Sequence, residues 1–151
     1  MKIITDVDYL HKKCEPISFE ESLEIKHKMH RFLLTNKNIA NNTLGLACNQ
    51  LGLNGRVIMF RGNTRHTPKY LINPIILEKS DDMITTKEYC LSVPGQSISI
   101  ERHKIIVLMS TTGIYDNWEY YKPNPSESIV IQHELEHLDG ILISDYIKEK
   151  A

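Results

Sequence analysis

Hydrophobic and polar residues in the first third of the chain follow the period of an amphipathic helix. Apolar side chains recur at helical spacing at Ile25, Met29, Phe32 and Leu33. Ser18 and Glu21 precede them in the order of a capping box, which satisfies free backbone N–H groups of a first turn. The pattern predicts a helix of about 16 residues that begins after Ser18 and ends near Asn36. The polar residues from Asn36 to Asn42 predict a loop.

Short apolar stretches bounded by turn residues follow, and they predict β-strands. These stretches are residues 56–61, 70–79, 83–93, 97–102, 104–110 and 118–121. Pro94-Gly95 is expected to end the third stretch, and Thr112-Gly113 is expected to form a turn. Because the strands are neighbours in sequence and are joined by turns, antiparallel pairing is favoured over crossovers through helices.

A second helix is predicted near the end of the chain, over residues 129–140. Its apolar residues lie around nearly the whole circumference, at Ile129, Val130, Ile131, Leu135 and Leu138. A helix of that kind is buried, and Gly140 is expected to end it. The predicted fold class is therefore α+β, with antiparallel β-sheets packed around this central buried helix.

The composition of the chain mainly excludes classes of protein. The 151 residues suffice for one domain, 1–151, with a buried core. A net charge of −1 gives no positive surface for nucleic acid or membrane, and no apolar run approaches the ~18 residues of a membrane span. Three widely spaced cysteines (Cys14, Cys48 and Cys90) and an N-terminus without a signal-peptide core indicate a reducing cytoplasm.

The candidate chemistry lies on the buried helix, in the run His133-Glu134-Leu135-Glu136-His137. Each helical residue turns by about 100°, so the two histidines share one face and can bind one metal ion. Glu134 can point at a water on that metal, as a general base must. Buried polar groups are costly unless they are paired or metal-bound, which favours a metal. The alternative is a pair of core histidines satisfied by backbone carbonyls.

Two stretches earlier in the chain form a set of three motifs together with the stretch around His133 and His137. Residues 45–52 (Gly-Leu-Ala-Cys-Asn-Gln-Leu-Gly), 88–92 (Glu-Tyr-Cys-Leu-Ser) and 132–140 together resemble, in order and spacing, the three signature motifs of the peptide deformylases. The resemblance implies a metal site formed by Cys90, His133 and His137, with a water in the fourth position. It also implies ferrous iron as the metal, which nickel, cobalt or zinc can replace.

The resemblance further implies a reaction and roles for the residues around the metal. The formyl group would be removed from the N-terminal formylmethionine of nascent peptides and released as formate, with Glu134 as the proton shuttle. The Gln50 amide and the Leu91 backbone N–H would hold the oxyanion, and Glu88 would orient groups around the cysteine strand. The expected substrate contacts are Gly45, Leu44, Tyr89, Ile129 and Val130.

Several features depart from the family pattern. Tyr89 stands where the family usually has glycine, Ser97 where many bacterial members have arginine, and Glu136 where aspartate is common. The chain ends at Ala151 without the long C-terminal helix that many bacterial members use to dock on the ribosome. We therefore expect a short form of the kind found in bacteriophages, acting as a monomer on N-formylmethionyl peptides in the bacterial or phage-infected host cytosol. Contact with the ribosome is expected to be transient, without direct nucleic acid or membrane partners.

Two other classes of protein compete with this interpretation. An HExxH zinc metallopeptidase would take its third ligand downstream of the motif, yet residues 138–151 contain no histidine. An inactive formyl-peptide-binding homologue would be expected to have lost Glu134, Gln50 or a metal ligand. All of these residues are present.

Overall fold

The computed structural model describes residues 1–62, 67–111 and 116–150, and the turn predicted at residues 112–113 lies outside this range. The helices are α1 (Val7–Leu10), α2 (Phe19–Thr35), α3 (Lys37–Asn42), α4 (Pro125–Leu138) and α5 (Asp145–Lys150). The strands are β1 (Gly45–Ala47), β2 (Val57–Phe60), β3 (Lys69–Lys79), β4 (Met83–Cys90), β5 (Val93–His103), β6 (Ile106–Thr111) and β7 (Glu119–Tyr121). A 3₁₀ turn, Cys48–Leu51, follows β1.

The strands form two antiparallel sheets. Five of them pair in the order β1-β2-β3-β6-β7, and β4 and β5 form a separate two-stranded hairpin. Helices α2 and α4 pack against the larger sheet, and α4 also contacts the hairpin through β5. The α+β class with antiparallel sheets is confirmed.

The main core lies between α2, α4 and the first strands of the larger sheet. All four apolar residues of the predicted α2 stripe are buried, and the Ser18 hydroxyl accepts the Glu21 backbone N–H at 3.2 Å. Strand β2 is completely buried, and α4 contributes Ile131, Leu135 and Leu138 to the same cluster. The long helix predicted to begin after Ser18 is confirmed as α2. In the described part of the chain, no helix combines the length and hydrophobicity that a membrane span requires.

The loop predicted from Asn36 to Asn42 is wrong, because residues 37–42 form the helix α3. Its sequence is rich in asparagine, which favours turns over helix interiors. However, Ala40 is buried and Ile39 packs on the main core. Tertiary packing therefore overrides the local preference.

The predicted end of the third strand at Pro94-Gly95 is also wrong. Strand β4 ends at Cys90, the chain turns at residues 91–92, and β5 begins at Val93. The register steps from Tyr89 opposite Ser97 to Cys90 opposite Val93, so Pro94 and Gly95 lie in a bulge. Proline and glycine are tolerated at bulges, where a ladder hydrogen bond is missing and the strand bends. As a result, Cys90 lies beside a tight turn at the end of the hairpin.

Gly140, just past the end of α4, should not tolerate a side chain. Its φ is +78°, and a Cβ atom there would lie 2.3 Å from the backbone oxygen of His11. Gly140→Ala should reduce the free energy of unfolding by more than the ~1–2 kcal/mol of a left-handed backbone alone. Gly95→Ala is the matched control, since its φ is +77° and no described atom lies within 4 Å of its Cβ position. Urea denaturation of both variants tests this, and equal losses would contradict a steric contribution at Gly140.

Candidate metal centre

The rotation of α4 about its axis places the two histidines of the HExxH run on one face. The Asn124 side chain accepts the Glu127 N–H at 2.9 Å, and the Glu127 carboxylate accepts the Asn124 N–H at 3.2 Å. With Pro125 in the first turn, this capping box defines where the helix begins. The rings of His133 and His137 are then 5.1 Å apart, centroid to centroid.

The β4–β5 hairpin brings the Cys90 thiol to this face of α4. The Cys90 Sγ lies 3.1 Å from His137 Nε2, and one ligand atom from each of Cys90, His133 and His137 lies within 4.8 Å of the others. Cys90 is 8% exposed and His137 is 1% exposed. A thiol and two imidazoles are the donors that Zn²⁺ and similar divalent transition-metal ions prefer, and three protein ligands leave a position for water or substrate. The residues present therefore fit a single metal ion.

His133 is oriented by a buried ion pair. Its Nδ1 lies 2.9 Å from Glu88 Oε1, which leaves Nε2 for a metal. Arg102 donates from Nε and Nη2 to the two Glu88 oxygens at 2.9 and 2.8 Å. Burial alone would raise the pKa of Glu88, but the hydrogen bonds from Arg102 and His133 outweigh it and lower this pKa to about 2. Glu88 therefore stays ionised and accepts hydrogen bonds from both residues.

Glu134 occupies a different environment from Glu88. It is 4% exposed, and burial raises the pKa of its carboxyl to about 7, although the nearby His133 opposes this shift. Its Oε1 has no hydrogen-bond partner among the described residues. A carboxyl group that titrates near neutrality is suited to accept and return a proton.

Gly45 makes room for this carboxyl. A Cβ atom at Gly45 would lie 2.5 Å from Glu134 Oε2 and 2.8 Å from Val130 Cγ1, so β1 passes directly over the helix. The family resemblance implies only a substrate contact for Gly45, and the sequence gives no sign of its contact with Glu134. Glycine is required here because any side chain would displace Glu134 or the strand.

Gln50 is held with its amide nitrogen toward the thiol. Its Oε1 accepts the Ala47 backbone N–H at 2.9 Å, and its Nε2 donates to Ser92 Oγ at 3.1 Å. The same Nε2 lies 3.8 Å from Cys90 Sγ. The Ala47 N–H, which can only donate, fixes which end of the amide carries the oxygen.

A cavity of about 500 Å³ opens above these groups. It is lined by ten of the residues that the sequence predicted for the site: Leu44, Gly45, Gln50, Tyr89, Cys90, Leu91, Ile129, Val130, His133 and Glu134. Glu88 also borders it, whereas His137 is buried and is not part of the lining. Tyr89 is 70% exposed and lies at the rim. Ser97 pairs with Tyr89 across the hairpin and does not line the cavity.

Arg102 was not among the residues predicted for the site, yet it is 3% exposed and contacts two carboxylates. One signal was available. Ile98, Ile100 and Arg102 alternate along β5, so they share the buried face of the strand. An arginine that continues an apolar face needs a buried acidic partner. The sequence does not show which acidic residues these are, because Glu88 lies on the paired strand of the hairpin and Glu136 on α4.

Within this antiparallel α+β fold, a cysteine and the two HExxH histidines converge on one point. Three such donors can hold one metal ion and leave a position open, as in catalytic metal sites. The family model of polypeptide deformylases matches residues 1–151. The chain belongs to the polypeptide deformylase family.

Individual relatives agree with this assignment. Peptide deformylase of Finegoldia magna is 36% identical over 107 residues, which span 71% of this chain and 65% of that protein, just under two thirds of its length. The crystal structure of a probable peptide deformylase from Synechococcus phage S-SSM7 is 32% identical, with a TM-score of 0.83, and the match covers 97% of this chain and 99% of that one. The Met-Ala-Ser-bound class I type b peptide deformylase of Acinetobacter baumannii is 25% identical, with a TM-score of 0.83 and coverage of 96% and 97%.

If Cys90 is a metal ligand, its thiol should determine metal content. Protein purified without oxygen should carry about one divalent transition-metal ion per chain, and Cys90→Ala should carry almost none, since two ligands remain. Cys48→Ala is the control, because Cys48 is also buried but its thiol donates to the Gly55 carbonyl instead. Elemental analysis measures the content. Full metal content in Cys90→Ala would exclude the thiol as a ligand.

Proposed function

We propose that this chain is a metal-dependent peptide deformylase that hydrolyses the N-formyl group of formylmethionyl peptides and releases formate. The observation that carries this proposal is the convergence of Cys90 Sγ and the two imidazoles beside Glu134, below a cavity of about 500 Å³. Membership of the polypeptide deformylase family supports it. The Acinetobacter baumannii relative is bound to Met-Ala-Ser, a peptide that begins with methionine, which supports the substrate class.

Cys90, His133 and His137 would hold the metal, with Fe²⁺ as the native ion and Ni²⁺, Co²⁺ or Zn²⁺ as substitutes. One thiolate and two imidazoles suit all four of these ions. When bound, the cation supplies Lewis-acid chemistry, which lowers the pKa of water and polarises the formyl carbonyl. Elemental analysis of protein purified without oxygen identifies the native ion.

Glu134 would move the proton. Its carboxylate takes a proton from the attacking water as the water oxygen bonds to the formyl carbon. The carboxyl then gives that proton to the leaving nitrogen as the C–N bond breaks. The products are a free amine and formic acid, which loses its proton to water and leaves as formate. The buried Oε1, which has no partner among the described residues, is available for this transfer.

Gln50 and Leu91 would stabilise the oxygen of the formyl group as it becomes negatively charged. The Gln50 Nε2 is fixed in the cavity wall by Ala47 and Ser92, and the Leu91 backbone lies at the turn of the hairpin. Donors that are already oriented need no reorganisation during the reaction, and removing one such donor typically reduces the rate ~10²–10³-fold.

The substrate would bind between β1 and the hairpin. Leu44, Ile129 and Val130 form an apolar wall that suits the methionine side chain. β1 is an edge strand of the larger sheet, so an extended peptide can add to its free side by backbone hydrogen bonds. Tyr89 at the rim would contact the residues that follow methionine.

The chain loaded with Fe²⁺ or Ni²⁺ should release formate from formyl-Met-Ala-Ser. Glu134→Gln removes the proton acceptor and keeps the size of the side chain, so kcat should fall ~10²–10⁴-fold while metal content is unchanged. A formate assay, together with elemental analysis of the same samples, checks both expectations.

Glu127→Gln is the matched control for this substitution. Glu127 is also a buried glutamate of α4, but it caps the helix, a role that glutamine can fill. The kcat of Glu127→Gln for formate release should stay near that of the unsubstituted chain. No formate above the metal-free sample would refute the proposed activity, and full activity of Glu134→Gln would refute the proton transfer alone.

Gly45→Ala should lower kcat about 100-fold, because the added methyl group displaces the Glu134 carboxyl, and a displacement of ~1 Å has an effect of this size. Gly62→Ala is the control, since its Cβ would lie 3.0 Å from the carboxylate of Glu127 on the same helix, away from the site. Initial rates of formate release at saturating substrate compare the two. Similar rates for both variants would show that the contact with Gly45 does not position Glu134.

A further inference from the structure

The metal ligands come from two elements that no strand pairing connects within the described residues. Cys90 lies on the β4–β5 hairpin, which is separate from the five-stranded sheet, and both histidines lie on α4. The distance between the thiol and the imidazoles therefore depends on how the hairpin is held against the helix. The side chains that join these two elements control the geometry of the site.

Arg102 joins them directly. Its guanidinium binds both oxygens of Glu88, two residues before Cys90 on β4, and its Nη1 pairs with Glu136, the residue before His137 on α4. Arg102 is 3% exposed, so this pairing occurs where water screens charges weakly. A planar guanidinium can hold two carboxylates in fixed directions, which a lysine ammonium cannot.

Tyr146 of α5 completes this contact from the other side. Its hydroxyl donates to Glu136 Oε2 at 2.6 Å and Oε1 at 2.8 Å, and its ring centroid lies 5.6 Å from Arg102 Cζ. The ring also packs on the small apolar cluster that contains Cys90. The Glu136 side chain is 19% exposed. Without the hydroxyl, this carboxylate can turn toward water and leave Arg102.

We propose that Tyr146 is a positioning residue for the metal centre. Its hydroxyl holds Glu136 on Arg102, and Arg102 holds Glu88, so the hairpin with Cys90 stays in place against the helix with His133 and His137. This inference rests on the metal site of the proposed function. Partners of metal ligands typically change metal affinity ~10–100-fold when they are removed.

The test compares Tyr146→Phe with Tyr121→Phe, both loaded with Co²⁺. The Tyr121 hydroxyl also donates to a glutamate of α4, Glu127, at 3.2 Å, but this pair does not contact the ligands. Each variant loses the contact of a tyrosine hydroxyl with a glutamate of α4, and Tyr121→Phe also loses the 3.4 Å contact with Lys69 Nζ. Tyr146→Phe should release Co²⁺ to excess EDTA about 10-fold faster and change the Co²⁺ visible absorption, which reports ligand geometry. Tyr121→Phe should match the unsubstituted chain in both measurements.

Arg102→Lys is a second, independent test variant, since it keeps the positive charge and loses the planar guanidinium that binds two carboxylates. It should also accelerate release and change the spectrum. If Tyr146→Phe releases Co²⁺ at the rate of the unsubstituted chain and shows the same Co²⁺ absorption, the inference is overturned, even if the melting temperature of the variant changes. If the unsubstituted chain shows no thiolate-to-Co²⁺ absorption, the metal site itself is absent, and the proposed function fails together with this inference.

Discussion

Helix α4 carries two imidazoles and a carboxyl into the protein interior, where each unpaired polar group costs roughly 1–3 kcal/mol. The surrounding elements offset part of this cost, although Glu134 Oε1 and His137 Nδ1 have no hydrogen-bond partner among the described residues. Strand β4 supplies Glu88 to His133, and the Asn49 side chain donates to the His137 carbonyl at 2.8 Å. Near the middle of the helix, Gln132 exchanges hydrogen bonds with the His103 backbone at 3.0 and 2.7 Å. The polar side of α4 therefore determines where the hairpin lies.

The surroundings shift the pKa values of two carboxyl groups in this site in opposite directions. Glu88 is paired with Arg102 and His133, and these partners lower its pKa to about 2 despite burial. Glu134 has no such partners on Oε1, so burial raises its pKa to about 7. Glu88 is therefore ionised at neutral pH, whereas Glu134 titrates near neutrality, so the two carboxyl groups can serve different purposes in one site.

The sequence predicted the parts of the fold that follow from local periodicity. These parts are the apolar stripe and cap of α2, the buried helix with HExxH and the antiparallel strands. Each follows from a pattern within about 15 residues of chain, so it can be predicted from the sequence. Motif order then suggested that Cys90 belongs beside His133 and His137, and the structure brings these residues within 4.8 Å.

By itself, then, the sequence determined most of the helices and strands, because helical and strand periods are properties of neighbouring residues. Its motifs also pointed to Cys90, His133 and His137, which the fold brings together. Only the tertiary structure decided that residues 37–42 are helical, that Pro94 and Gly95 form a bulge, and that Arg102 connects Glu88 to Glu136. These outcomes depend on packing and ion pairing between residues far apart in the chain. Such contacts are selected by the free energy of burying charge and apolar surface, which no local window of sequence contains.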